Sequence, residues 1–260
     1  MIFSVLTAIT VVVRIMQNAA MIDPKTGFYY KEYEVFEPVF LITIFALMIA
    51  YFIIAMLSSE NPPLGDSYIV SRPLGVMTLM LAVVAGIRCA QYVLKMATIS
   101  VSDYFLLAAY AAFFIFCVAY GVMLICGKKA PSELFLIPSL FGAVRFTVTF
   151  ISYVDVIKVT DIILTITMLG VTMMFWHMFA RVNAGMASKS TVKMLYGFGF
   201  PAALLCFACS VPKYYVNWFM PNTGIHISEH ISYFDFASGI YIAVFLVMTL
   251  FASPKIREND

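Results

Sequence analysis

Charge is scarce in this chain. Of 260 residues, sixteen are Lys or Arg and fourteen are Asp or Glu, a 12% share that is about half the roughly 25% usual for a soluble domain. Beside it stand 63% hydrophobic residues and a mean hydropathy of +0.95. A soluble fold of this length cannot bury so much apolar surface. The composition therefore argues against an ordinary cytosolic enzyme, a disordered chain and a nucleic-acid binder. Other absences narrow the field. There is no Walker loop and no G-x-S-x-G elbow. No lysine sits deep in the last helix with a carboxylate partner, as a retinal protein needs; Lys213 is near a helix end. Cys206 and Cys209 form a C-x-x-C without a second pair, which reads first as small soft side chains packing on one helix face and second as redox or metal chemistry. No Asp or Glu falls in the inner part of any apolar run.

Long apolar runs, in contrast, are plentiful. A helix needs roughly 20 such residues to cross a bilayer core. Eight stretches qualify, approximately Ile2–Met21, Val39–Ser58, Leu74–Leu94, Tyr104–Cys126, Leu134–Val154, Ile162–Ala180, Met194–Tyr215 and Phe236–Ala252. The first has no basic leading segment and no small-x-small cleavage site, so it reads as a span and not as a signal peptide. The expected fold is all-α: a polytopic membrane bundle over 1–260 as a single transmembrane domain, whose neighbour is the lipid bilayer. Connections after spans 2, 4 and 6 and the C-terminus carry Arg72, Lys128, Lys129, Arg181, Lys189, Lys193, Lys255 and Arg257; the others carry Lys25, Lys31, Lys95, Lys158 and Lys213. The Lys/Arg bias places both termini in the cytoplasm of a cell-membrane protein.

The odd spans repeat a feature. Arg14 is followed by Gln17, Arg88 by Gln91, and Arg145 by Thr149, each arginine roughly 10–15 Å from the outer end of its helix at 1.5 Å per residue. Lys213 takes the same place in span 7. Acids follow in rhythm: Asp103 lies 15 residues after Arg88, Asp161 16 after Arg145, and Glu229 16 after Lys213. The first unit breaks the rule, with Asp23 nine residues on and Glu32 eighteen on. These intervals suggest four helix hairpins, approximately 1–58, 74–126, 134–180 and 194–252, as internal repeats with a site between them; recurrence by composition alone is the alternative.

The first outer loop, Asp23-Pro24-Lys25-Thr26-Gly27-Phe28-Tyr29, carries turn chemistry followed by interfacial aromatics. An arginine-bearing first helix running into this loop resembles an uncharacterised family of multi-pass membrane proteins of Gram-positive anaerobic bacteria. The resemblance covers the first hairpin and the eight-span outline. It implies no activity and transfers no site residue.

Three arginines in hydrocarbon are costly, from about 2.5–3.5 kcal/mol each on insertion scales to above 10 in simulations. Four ways to satisfy them follow from the sequence. They snorkel outward; they bond backbone carbonyls and Gln17, Gln91 or Thr149 on neighbouring turns; they reach the outer acids Glu37, Asp103 and Asp161; or they converge on a wet cavity and hold an anion, because guanidinium suits carboxylate and phosphate. The three acids also begin helices, where they would cap free N–H groups. His226-Ile227-Ser228-Glu229-His230 matches the inverted zinc-protease pattern H-x-x-E-H, but only thirty residues follow it. A polar loop with Ser228 or Ser232 as a helix cap is the plainer account. His177, beside Trp176, reads as an interfacial anchor, with a proton relay as the alternative. Pro201 and Pro212, with Gly197 and Gly199, mark span 7 as the helix to kink or break, and Pro138 with Gly142 mark span 5 more weakly.

The resulting expectation is an integral membrane protein that binds or transports a small anionic or polar solute in an outward-facing cavity. Arg14, Arg88 and Arg145 would hold the ligand and Gln17 and Gln91 orient it. The rival is a non-transporting assembly or sensory partner of another membrane protein, with structural arginines. No constellation supports an enzyme, and no cofactor or metal is expected.

Overall fold

In lipid, an unbroken run of apolar residues satisfies its backbone by forming a helix. The computed structural model describes residues 2–23, 29–58, 72–95, 100–152, 160–219 and 231–251. It contains α1 (Ile2–Met16), α2 (Phe36–Leu57), α3 (Arg72–Leu94), α4 (Val101–Ile125), α5 (Leu136–Ser152), α6 (Thr160–Asn183), α7 (Lys189–Phe219) and α8 (Tyr233–Phe251). A π-helical turn, Gln17–Met21, extends α1, and short 3-10 turns precede α2 and α5. Eight helical segments are long and apolar enough to cross a membrane, as predicted, and no strand occurs among the described residues.

Local signals set several boundaries. Ser100 and Asp103 close a capping box on α4. At α8 one half of that motif is present: the Ser232 N–H and hydroxyl both donate to Asp235 Oδ2, at 2.7 and 3.1 Å. Gly127 and Gly185 hold φ of +70° and +81° just past α4 and α6. There the N–H groups of Lys128 and Met186 turn back to the carbonyls of Met123 and Arg181, the left-handed ending that glycine permits.

Helices α3 to α8 pack in cyclic order, each against the next and α8 against α3. Their shared interior is a column of stacked rings. Tyr110, Phe113 and Tyr120 of α4, Phe141 of α5, Trp176 and Phe179 of α6, and Tyr241 of α8 are all buried. Phe113 meets Phe141 at 4.2 Å and Trp176 at 5.1 Å; Trp176 stacks on Tyr241 at 5.7 Å. Aromatic side chains of this kind carry the largest apolar burial per residue. At the α3–α4 crossing, Gly75 and Gly121 face each other. A Cβ on Gly75 would lie 2.9 Å from the Gly121 carbonyl oxygen, so the helices touch through their backbones.

Helix α7 runs through both Pro201 and Pro212 without a break. The interruption suggested by its prolines is thus absent. The glycines answer to packing instead: added Cβ atoms would strike Phe52 of α2 at Gly197 and Leu246 of α8 at Gly199. In α7, 72% of the most apolar window is buried, against 11% in α2. The first is an interior post and the second is apolar all round because lipid would be its solvent. The pairs α3–α4, α5–α6 and α7–α8 each pack together, while α1 and α2 both lie on α7. They meet each other at Phe3 and Tyr51, and both rings rest on Phe200 of α7.

Candidate functional site

Arg14 of α1, Arg88 of α3, Arg145 of α5 and Lys213 of α7 lie toward the ends of their helices from which the chain passes to α2, α4, α6 and α8. Their environments differ.

Arg14 is 1% exposed. Its guanidinium donates to Gln17 Oε1 at 2.9 Å and to the Tyr29 hydroxyl at 3.3 Å, forms an ion pair with Asp161 of α6, and lies 5.5 Å from the Phe40 ring centroid. The π-helical turn puts Gln17 within this reach and buries both Gln17 and Asn18. A single wide turn of this type redirects the side chains that follow it. Burial pushes the Tyr29 phenol above its ordinary range, against the pull of Arg14, so Tyr29 stays neutral near pH 7. Beside this cluster the Thr160 hydroxyl donates to Glu37 of α2. Arg14 and Thr160 thereby fasten the first two helices to the start of α6.

Arg145 is 5% exposed and Asp235 is 1% exposed. Arg145 Nη2 donates to Asp235 Oδ1 at 2.5 Å. The guanidinium lies 5.3 Å from the centroid of Phe234 and 5.8 Å from that of Tyr110. Since α5 and α8 stand on opposite sides of the ring, this pair crosses the top of the aromatic column. Asp235 uses one oxygen for the helix cap and the other for Arg145.

Arg88 has no carboxylate among the described residues. It donates to Gln91 Oε1 at 2.9 Å and lies 5.0 Å from the Tyr92 ring centroid. Its Nε is buried and meets no acceptor among the described residues. The residue borders a cleft of about 540 Å³ between α3 and the α7–α8 corner, shared with Gln91, Lys213, Tyr214, Ser232 and Tyr233. A second recess of about 390 Å³ continues past Arg88 and Gln91 to Lys95. Lys213 donates to the Ile231 carbonyl at 2.7 Å. Tyr214 and Tyr233 stack at 4.2 Å with planes 9° apart. Among the described residues, three cations and no carboxylate line these two recesses. Chemically, such a cleft suits an anion of small-molecule size.

The structure therefore separates the sequence-derived candidates. Gln17 goes with Arg14, and Gln91 goes with Arg88. Arg14 and Arg145 each sit on a carboxylate, and neither lines the cleft. Of the outer acids, Asp103 is a helix cap, Asp161 partners Arg14, and Glu37 accepts from Thr160. The role of Asp235 was missed, although Ser232 three residues before it was a visible capping signal. The grouping of Lys213, Tyr214 and Tyr233 with Arg88 left no local pattern to find. Cys206 and Cys209 are both free and buried. His177 is exposed and bonds Ser139 through Nδ1 at 3.0 Å, whereas its neighbour Trp176 is buried in the ring. The H-x-x-E-H segment and the Pro24–Phe28 part of the first loop lie outside the described residues. No cluster of three metal-ligating side chains occurs among the described residues. Protein-family models, curated proteins and solved structures were each compared with the chain, and none matches it, so the cleft and the two ion pairs are what the functional reading rests on.

Proposed function

We propose that this chain is a multi-pass membrane protein that binds an anionic group, a carboxylate or a phosphate, in the cleft beside Arg88. Arg88 supplies the positive charge, and Gln91 holds its guanidinium in place. Arg14 and Arg145 fasten helices and do not touch the ligand. The reading is carried by one observation: the Arg88 guanidinium, with no carboxylate partner among the described residues, borders the cleft, and its buried Nε meets no acceptor among them. A cation without an anion at the edge of hydrocarbon is costly, and an anion in the cleft would offset that cost. The Lys/Arg bias of the connections supports an outward position for this end of the bundle. The tightly stacked ring interior supports binding over passage of a solute through the bundle.

The rival reading, a partner in a membrane assembly, gains from the same geometry, because two of the three arginines are satisfied within the chain. Thermal unfolding of purified protein in non-ionic detergent separates the two. Phosphate, sulfate, acetate and chloride are compared at constant ionic strength. A binding anion at 100 times its Kd stabilises the folded state by about 2.7 kcal/mol, and Arg88→Gln removes that gain. If no anion stabilises the protein, or Arg88→Gln responds as the wild type does, the cleft is not an anion site and the assembly reading takes its place.

A further inference from the structure

We infer that the bound group is the phosphate of an anionic membrane lipid, whose chain lies along the lower, apolar half of the same cleft. This rests on the anion reading above and names its ligand.

The cleft is graded along the membrane direction. On α3 its lining residues are Val84, Ile87, Arg88 and Gln91, spaced as one helix face. Val84 lies four residues below Arg88, about 6 Å deeper at 1.5 Å per residue. Ile231 and Phe234, at the start of α8, add apolar lining nearer the mouth. A free anion would use the Arg88–Gln91–Lys213 level and leave the deeper half without a polar partner for water. A lipid fills both halves. Access follows from exposure: Ile87 is 52% exposed and Val83 beside it 61%. The cleft thus opens sideways onto a surface whose solvent would be acyl chains, and a lipid could enter without leaving the bilayer.

Level and charge agree with this occupant. Arg88 stands six residues before Leu94, the last residue of α3, so its Cα is about 9 Å short of the helix end. A long cationic side chain at that depth places its head at the polar boundary, where lipid phosphates lie. Tyr214 and Tyr233 stand at the same mouth, as amphipathic rings do at an interface. Arg88 borders both recesses without a carboxylate partner among the described residues, and a net negative headgroup balances that charge where a zwitterionic one does not.

Native mass spectrometry tests this with full-length protein in mild detergent and added phosphatidylglycerol or phosphatidylcholine. Phosphatidylglycerol adducts are expected on the wild type, reduced at least fivefold in Arg88→Gln, with phosphatidylcholine adducts unchanged between the two. Val84→Trp, which fills the apolar half, is expected to reduce phosphatidylglycerol adducts while leaving stabilisation by inorganic phosphate intact; the latter also shows that the variant folds. If inorganic phosphate stabilises the wild type and Val84→Trp leaves the lipid adducts unchanged, the ligand is a free anion: the lipid inference fails and the anion site stands. If lipid adducts are indifferent to Arg88→Gln, the lipid is merely annular and the inference fails. If neither lipid nor phosphate depends on Arg88, both readings fail together.

Discussion

Asp235 offers the sharpest test of how this bundle is held. Its carboxylate is almost fully enclosed, pairs with Arg145 at 2.5 Å and caps α8 through Ser232. Replacing Asp235 with Ala leaves the Arg145 guanidinium buried among Tyr110 and Phe234 with no anion. Breaking a buried pair from one side costs about 3–5 kcal/mol, and losing the Ser232–Asp235 hydrogen bonds at the start of α8 costs about 1 more. A total near 4–6 kcal/mol is a large part of a typical folding free energy of about 5–15. The companion variant Arg145→Met, added to Asp235→Ala, removes the stranded charge and fills the space with an apolar chain of similar length. The double variant should therefore recover nearly everything except the cap, ending about 1 kcal/mol below wild type. The assay is equilibrium unfolding in mixed micelles with increasing sodium dodecyl sulfate, followed by fluorescence of Trp176, which reports the ring interior directly; Trp218→Phe removes the exposed second tryptophan. Single-variant costs below about 1 kcal/mol, or a double variant equal to the sum of the singles within about 0.5 kcal/mol, would refute the claim that this pair bridges the ring.

Three further outcomes follow from the same geometry. Arg14→Leu should cost about 3 kcal/mol or more in the same assay, because it leaves Asp161 without its cation, whereas Arg88→Gln should cost less than about 1; equal costs would show that the cleft arginine is also structural. Gly75→Ala should destabilise by about 1–3 kcal/mol, since its Cβ would press on the Gly121 carbonyl and Ile125; a neutral result would mean that α3 and α4 can part without loss. Cys126 is the exposed cysteine of the five, at the end of α4 away from the arginines. A membrane-impermeant maleimide should label it only after cells are opened; labelling of intact cells would invert the proposed orientation.

Much of the architecture was legible because lipid leaves a chain few choices: length and apolarity alone mark the eight helices. The arginines also announced themselves, as charges in hydrocarbon. Their partners did not. Arg14 meets Asp161 across 147 residues of chain and Arg145 meets Asp235 across 90. The near-constant interval from each arginine to the next acid pointed to pairing within a hairpin, but the sequence holds no record of which helices become neighbours. Arg145 turns inward across the ring to α8 and leaves Asp161, at the start of the adjacent α6, to Arg14. Asp235 looked like a plain helix start, and it is one; its second oxygen does the bridging. In the first helix pair both helices rest on α7 and touch each other at Phe3 and Tyr51. By backbone rules the prolines of α7 mark a kink or a break; the helix runs on unbroken through both, enclosed by α1, α2, α6 and α8.

The 147 residues between Arg14 and Asp161 have a consequence for biogenesis. At about 5–20 residues per second, a ribosome delivers the carboxylate roughly 7–30 seconds after the arginine. Helix α7, the platform for α1 and α2, emerges later still. Helices α1 and α2 are thus made before the helix they rest on, and during the wait Arg14 has Gln17 on its own helix as a local partner. The contacts that seat this pair wait on chain delivered well after it.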